Sequence, residues 1–350
     1  MTDSVWFVPT VLGPIDPGAL GPTLMHEHLV VDWDRALGRE PTPVESPAMV
    51  ERVLSCVAKA AAVGVRTLVD AGVETLGPSP LLLQLVARVA GVNLVCATGV
   101  YEGDLVPAPP WAYPPSGFEE IAEHFITVAT KGIAGSGVKP GVIKVGTSPR
   151  AITEVEENAL RGAAIAQQRT GLAITTHTRT MELALRQIDI LEEAGADLDR
   201  VVIGHLGWGS GARDHALHCR IAERGVFIAL DWVGQPIRSD EEYAQIATDL
   251  IEAGYSGQIL LSHDAAAYAR GVEQMWEPEA FLGDFTVVHR KLLPLLRQRG
   301  VDEETEQKLL VENPRRALAI SQERYPGATE TLLQPVSDPF VDWIGVDTLR

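Results

Sequence analysis

Thr23-Leu24-Met25-His26-Glu27-His28-Leu29 is the stretch on which the reading of this chain turns. On an extended strand, residues two apart project to the same face, so His26 and His28 present their imidazoles side by side. On a helix the pair would sit about 200° apart, at roughly 100° per residue. Same-face imidazoles near a strand end can grip one metal ion; the bland alternative is a surface His-x-His with no role. The rest of the chain decides between the two.

Short apolar runs recur downstream, at 67–70, 93–100, 142–145, 173–177, 201–205, 226–230 and 258–262. Stretches with helical spacing separate nearly all of them, at 47–64, 80–90, 118–131, 154–170, 180–194, 212–224 and 240–253. Apolar strands that do not alternate are buried on both faces, as in parallel sheets. Eight such strands point to the α/β class, and to a (β/α)8 TIM barrel rather than an open sheet. Residues 1–21, rich in Gly and Pro, read as a hairpin or cap over one end. The loop 102–117 carries five prolines and Trp111 and should be stiff, because Pro fixes φ. Residues 265–284 read as a lid carrying Tyr268 and Trp276, followed by helices at 285–299, 302–311 and 314–321. Residues 1–321 make one domain. Residues 322–350, with Trp343, read as a tail docked on the barrel or on a partner subunit.

The 350-residue length fits one barrel domain. Hydrophobic residues are 46%, enough for a large core. Asp plus Glu is 47 against 29 Lys plus Arg, a net charge of −18, which opposes phosphate backbones and anionic membranes. Nucleic acid and membrane are therefore not expected partners. Cys56, Cys96 and Cys219 are odd in number and far apart, the pattern of reduced intracellular thiols. Met1–Thr10 has no basic segment before an apolar run, and no apolar stretch is long enough to span a bilayer, so a cytoplasmic location is expected.

Polar residues stand at or just beyond the strand ends: His26, His28, Lys144, His177, His205 and Asp264. In a barrel the C-terminal ends of the strands carry the active site, and different strands supply its parts. Four imidazoles, a carboxylate and a lysine there make a metal-site inventory. Each histidine taken alone also reads as a satisfied core residue. Lys144 is the odd member, because a free ammonium is costly to bury in Val-Ile-Lys-Val. It is a neutral Schiff-base amine, a lysine paired with an acid, or a carbamate formed with carbon dioxide that bridges two metals. The histidines favour the carbamate, since a Schiff-base enzyme has no need of four.

Gly21-Pro-Thr-Leu-Met-His-Glu-His-Leu29 resembles the signature of the phosphotriesterase family, in the amidohydrolase superfamily. Ala97–Tyr101, Val142–Val145, Thr176–Thr178, Ile203–Gly207 and Leu261–Asp264 resemble its later motifs in the same order, and the resemblance covers residues 5–321. It implies a metal-dependent hydrolase domain with a binuclear metal centre at the C-terminal end of the strands. His26, His28 and Asp264 would hold one metal, His177 and His205 the other, with carbamylated Lys144 (N6-carboxylysine) between them. Zinc suits such ligands, as do cobalt, iron and manganese. Glu27 would be structural or support a ligand, and His263 would orient a ligand or pack in the core. The family also implies a homodimer.

In the mechanism that follows, a hydroxide bridging the metals attacks a carbonyl carbon or phosphorus, and the more exposed metal polarises the substrate oxygen. Asp264 takes the proton. Tyr101 donates to the substrate oxygen or leaving group, or merely packs in the wall. Tyr101 resembles the lactonase branch, whereas Asp231-Trp232 departs from it, because an arginine often follows that aspartate. A rim of Trp111, Trp232 and Trp276 suits a small, neutral, partly apolar substrate. The expected activity is a lactonase with promiscuous phosphotriesterase activity; the alternatives are a dedicated phosphotriesterase (aryldialkylphosphatase), a Schiff-base lyase using Lys144, and a non-catalytic binding protein. Gly207–Ala212 fits G-x-G-x-x-A, with Asp231 placed like a ribose-binding acid, but a dehydrogenase would leave the histidines unexplained.

Overall fold

The computed structural model describes residues 5–39, 46–113, 117–208, 211–271 and 282–325. Twelve strands occur among them: β1 (Trp6–Thr10), β2 (Gly13–Ile15), β3 (Thr23–Asp32), β4 (Thr67–Asp70), β5 (Asn93–Val100), β6 (Val142–Gly146), β7 (Ala173–His177), β8 (Val201–Ile203), β9 (Phe227–Leu230), β10 (Ile259–Leu261), β11 (Ala266–Arg270) and β12 (Ile320–Ser321). From β3 to β10 each strand pairs in parallel with the next in sequence. The chain just after β10 closes the ring on β3: Asp264 N donates to His26 O at 3.0 Å and His28 N to Ala265 O at 2.9 Å. The expected (β/α)8 barrel is therefore the fold.

Helices wrap it because the sequence starts and stops them cleanly. Ser46 and Ser79 cap α1 (Pro47–Ala62) and α2 (Pro80–Ala90), each with proline at the first turn. Thr153 with Glu156, and Ser239 with Glu242, form capping boxes on α3 (Glu154–Thr170) and α4 (Asp240–Glu252). Outward strand residues such as Leu24, Leu68, Ile143 and Ile228 pack against the helices. Inward ones, including Val69, Val142, Val202, Phe227 and Leu260, fill the barrel.

Inward alternation then delivers the polar residues. Two positions beyond Val142 comes Lys144, and two beyond Ala229 comes Asp231. In β3 a bulge between Leu24 and Glu27 shifts the alternation, so Met25 fills the barrel while the next residue, His26, still faces its mouth. Gly99 is required beside Lys144, since a Cβ there would lie 1.8 Å from the Lys144 carbonyl oxygen.

Two expectations need correction. Within 265–284, expected as a lid, Ala266–Arg270 is instead a ninth strand of the barrel sheet, parallel to β3, where the small residues Ala265, Ala266 and Ala267 let the chain lie flat on the barrel seam; residues 272–281 lie outside the described residues. The helix expected at 314–321 ends at Leu318, because Ile320–Ser321 pairs with the free edge of β1. The β1–β2 hairpin supplies the expected N-terminal cap. Trp276 and the tail from 326 onward, with Trp343, lie outside the described residues. Among those described, no helix is long and apolar enough to cross a membrane.

Candidate metal centre

Six side chains from five strands or their C-terminal ends meet at the barrel mouth, His26 and His28 sharing β3. His26 Nε2 lies 2.9 Å from Lys144 Nζ and 3.3 Å from Asp264 Oδ1. His28 Nε2 lies 3.0 Å from the same Asp264 oxygen. Across the barrel, His205 Nε2 and His177 Nδ1 face each other at 2.7 Å. Among the described residues two groups have spacing fit for a metal ion: His26, His28 and Asp264, and His26, His205 and Asp231. Both His205 (φ 64°) and Asp264 (φ 47°) hold left-handed backbone conformations that side chains other than glycine seldom adopt.

Neighbouring carboxylates assign the imidazole tautomers. Asp231 Oδ1 lies 3.1 Å from His205 Nδ1, and its Oδ2 lies 2.9 Å from His26 Nδ1, the latter off the N–H axis. Glu102 Oε2 lies 3.1 Å from His177 Nε2, again somewhat off axis. Protons on those nitrogens leave lone pairs on His26 Nε2, His205 Nε2 and His177 Nδ1. Two lone pairs facing each other at 2.7 Å repel unless both serve an electron acceptor. Burial, and the Lys144 charge beside it, lowers the His26 pKa to about 4. Burial and His205 lower that of His177 to about 3. Both rings are neutral near pH 7, as metal ligands must be. The donor set fits divalent cations.

Lys144, 1% exposed, has its pKa lowered to about 8 by burial, against the pull of Asp264, Asp231 and Glu102. Burial would raise the Asp264 carboxyl, but the imidazoles of His26, His205 and His28 outweigh it and hold it well below the usual range. The Tyr101 phenol is pushed up by burial and by Glu102, so it stays protonated.

The remaining expected site residues divide. Tyr101 meets the His177 ring edge-on, with centroids 5.0 Å apart. Trp232 is mostly buried, and its indole Nε1 donates to Asp264 Oδ2 at 2.6 Å. Trp111 touches none of the six; it stacks on His124, 3.8 Å between centroids, beside a groove lined by Pro110 and Tyr113. Glu27 accepts from Ser262 Oγ, His263 Nδ1 and the backbone N–H groups of His263 and Ala265, so it clasps the barrel seam. His263 Nε2 in turn accepts from Val288 N, leaving neither ring nitrogen for a ligand.

Sequence reasoning missed Asp231 as the carboxylate shared by His26 and His205. It also missed Glu102, Arg179 and Trp208 in the wall. Arg179 forms a two-pronged pair with Glu102 and lies 4.9 Å above the Trp208 ring, which stacks on Trp232. The available signal was an acid one residue past Tyr101 and an arginine two past His177.

The model of the Phosphotriesterase family matches residues 7–318. The aryldialkylphosphatase of Saccharolobus solfataricus is 32% identical over 308 residues, covering 86% of this chain and 96% of that protein. The solved organophosphorus hydrolase of Deinococcus radiodurans superposes with TM-score 0.82 at 32% identity, covering 90% of this chain and 98% of that one. A solved structure concerning organophosphate hydrolysis engineered from a weak promiscuous lactonase template has TM-score 0.81 and 32% identity, covering 89% and 99%.

Proposed function

Because this chain belongs to the phosphotriesterase family and is a hydrolase acting on ester bonds, we propose that it is a binuclear metal-dependent lactonase with phosphotriester hydrolysis as a side activity. The observation that carries the reading is the meeting of His26, His28, Lys144, His177, His205 and Asp264, with the lone pairs of His26, His177 and His205 turned inward. These residues would hold two divalent cations, whose charge would activate water and polarise the substrate oxygen. Zinc suits the ligands best, with cobalt, iron or manganese as substitutes.

The protein's own groups do the rest. Lys144, with its lowered pKa, keeps a share of neutral amine near pH 7. That amine adds to carbon dioxide, forming an N–C bond and releasing one proton, and the resulting carbamate offers two anionic oxygens. Asp264 is placed to take the proton of the attacking water and deliver it to the leaving oxygen. Tyr101, kept protonated, donates a hydrogen bond to the substrate oxygen. Of the six side chains, those of His28 and Asp264 are the most exposed, 11% each, and mark the side from which substrate comes. The likeness to a structure concerning a weak promiscuous lactonase template supports the lactone as substrate. The aryldialkylphosphatase relative keeps the dedicated phosphotriesterase as the second reading.

Elemental analysis with a panel of lactones and one aryl phosphotriester tests the reading. Two metals per chain and lactone turnover are expected; turnover of the triester alone replaces the lactonase with the second reading. Lys144→Ala should lose metal and activity, and a short carboxylic acid should restore part of both. Full activity in that variant would end the binuclear proposal.

A further inference from the structure

We infer that Glu102, clamped by Arg179, is a positioning residue that fixes the His177 ring with Nδ1 turned toward His205 Nε2. The inference rests on the metal centre proposed above. Glu102 follows the end of β5 and is fully buried. Its Oε2 lies 3.1 Å from His177 Nε2. Arg179 occupies the carboxylate from the other side, Nη2 donating to Oε1 at 2.6 Å and Nε to Oε2 at 3.0 Å. The guanidinium is itself braced over the Trp208 ring.

A buried ion pair gives little net stability, because desolvation offsets much of the attraction. Stability alone is therefore a poor account of this one. Its placement gives a better one: the acid sits on the far nitrogen of a ring whose near nitrogen faces the centre. A carboxylate there sets the tautomer, stops the ring from turning over and raises the basicity of the nitrogen left for a metal. The backbone on the same residue is pinned separately, Gln187 Nε2 donating to His177 O at 3.0 Å. Main chain and ring thus have independent anchors, and only the ring anchor is charged. Asp231 does the same for His26 and His205, so each of these three inward-facing imidazoles has an acid behind it.

The test uses wild type, Glu102→Gln, Arg179→Lys and Arg179→Met. Each is stripped, reloaded with Co²⁺, and followed by metal content, chelator competition and visible cobalt absorption. Gln keeps the shape and can still accept from Arg179, and circular dichroism of the stripped protein checks the fold. Wild type should hold two ions. Glu102→Gln should hold one of them about 10–100-fold more weakly, with an altered cobalt spectrum. Arg179→Met should move the same way by less, and Arg179→Lys should recover part of the loss. If Glu102→Gln does not fold, the arginine pair carries the test, and wild-type affinity and spectrum in Arg179→Met overturn the inference. The same result in a folded Glu102→Gln overturns it too. A wild type that takes up no metal instead removes the centre on which it rests.

Discussion

Trp232 shows how one side chain changes meaning between sequence and structure. Read from the sequence it belongs to a substrate-facing rim; in the fold its indole N–H is bonded to Asp264 Oδ2. Hydrogen bonds to charged groups contribute roughly 1.5–3 kcal/mol, so Trp232→Phe should lower the stability of the stripped protein by about that much in urea titrations. An unchanged midpoint with a raised KM would return Trp232 to the substrate. The imidazoles set a pH limit of their own. His26 and His177 titrate at about 4 and about 3 in the fold, against an ordinary 6.5. Their folded values are depressed, so the unfolded chain binds protons first as pH falls. Stability should be full above pH 6.5 and drain away between 6.5 and about 3; calorimetry of the stripped protein checks this, and a flat Tm across that window would contradict neutral buried rings. The six expected ligands were legible because histidines at strand ends repeat at readable intervals. Asp231 and Glu102 were not, because a carboxylate after a strand has no pattern of its own until the imidazole behind which it stands is located in space.

At the scale of elements, the weak point of any barrel is where its last strand meets its first. Here β10 and β3 are joined by two backbone bonds and by Glu27, whose carboxylate takes hydrogen bonds from Ser262, His263 and Ala265. Glu27→Ala leaves several buried donors unpaired at once, and a loss of about 3–5 kcal/mol is expected, the scale for breaking a buried charged network. Urea unfolding measures it; a loss under about 1 kcal/mol would show that the seam does not depend on this residue. The eight barrel strands and the helices between them followed from apolar runs, proline starts and glycine stops. The ninth strand escaped that logic. Ala265-Ala266-Ala267-Tyr268-Ala269 has no alternation and weak strand propensity, and only the open edge of β3 makes it a strand. The two-residue β12 is likewise created by its partner, the edge of β1.

For the whole molecule, the proposed metal centre would make filling and folding one equilibrium. Ions that bind only the folded chain add about 2.7 kcal/mol at a hundredfold excess over Kd, so removing them with a chelator should lower Tm and returning them should restore it. No shift on chelation would place the stability of the fold entirely in its packing. A second whole-molecule effect comes from the left-handed backbone at His205 and Asp264. Such conformations hold strain of about 1–3 kcal/mol each, which glycine would relieve. A library ranked by heat resistance alone is therefore drawn toward glycine at both places, and would breed sturdier, inert descendants. Any programme to toughen this protein has to freeze those two positions before it begins.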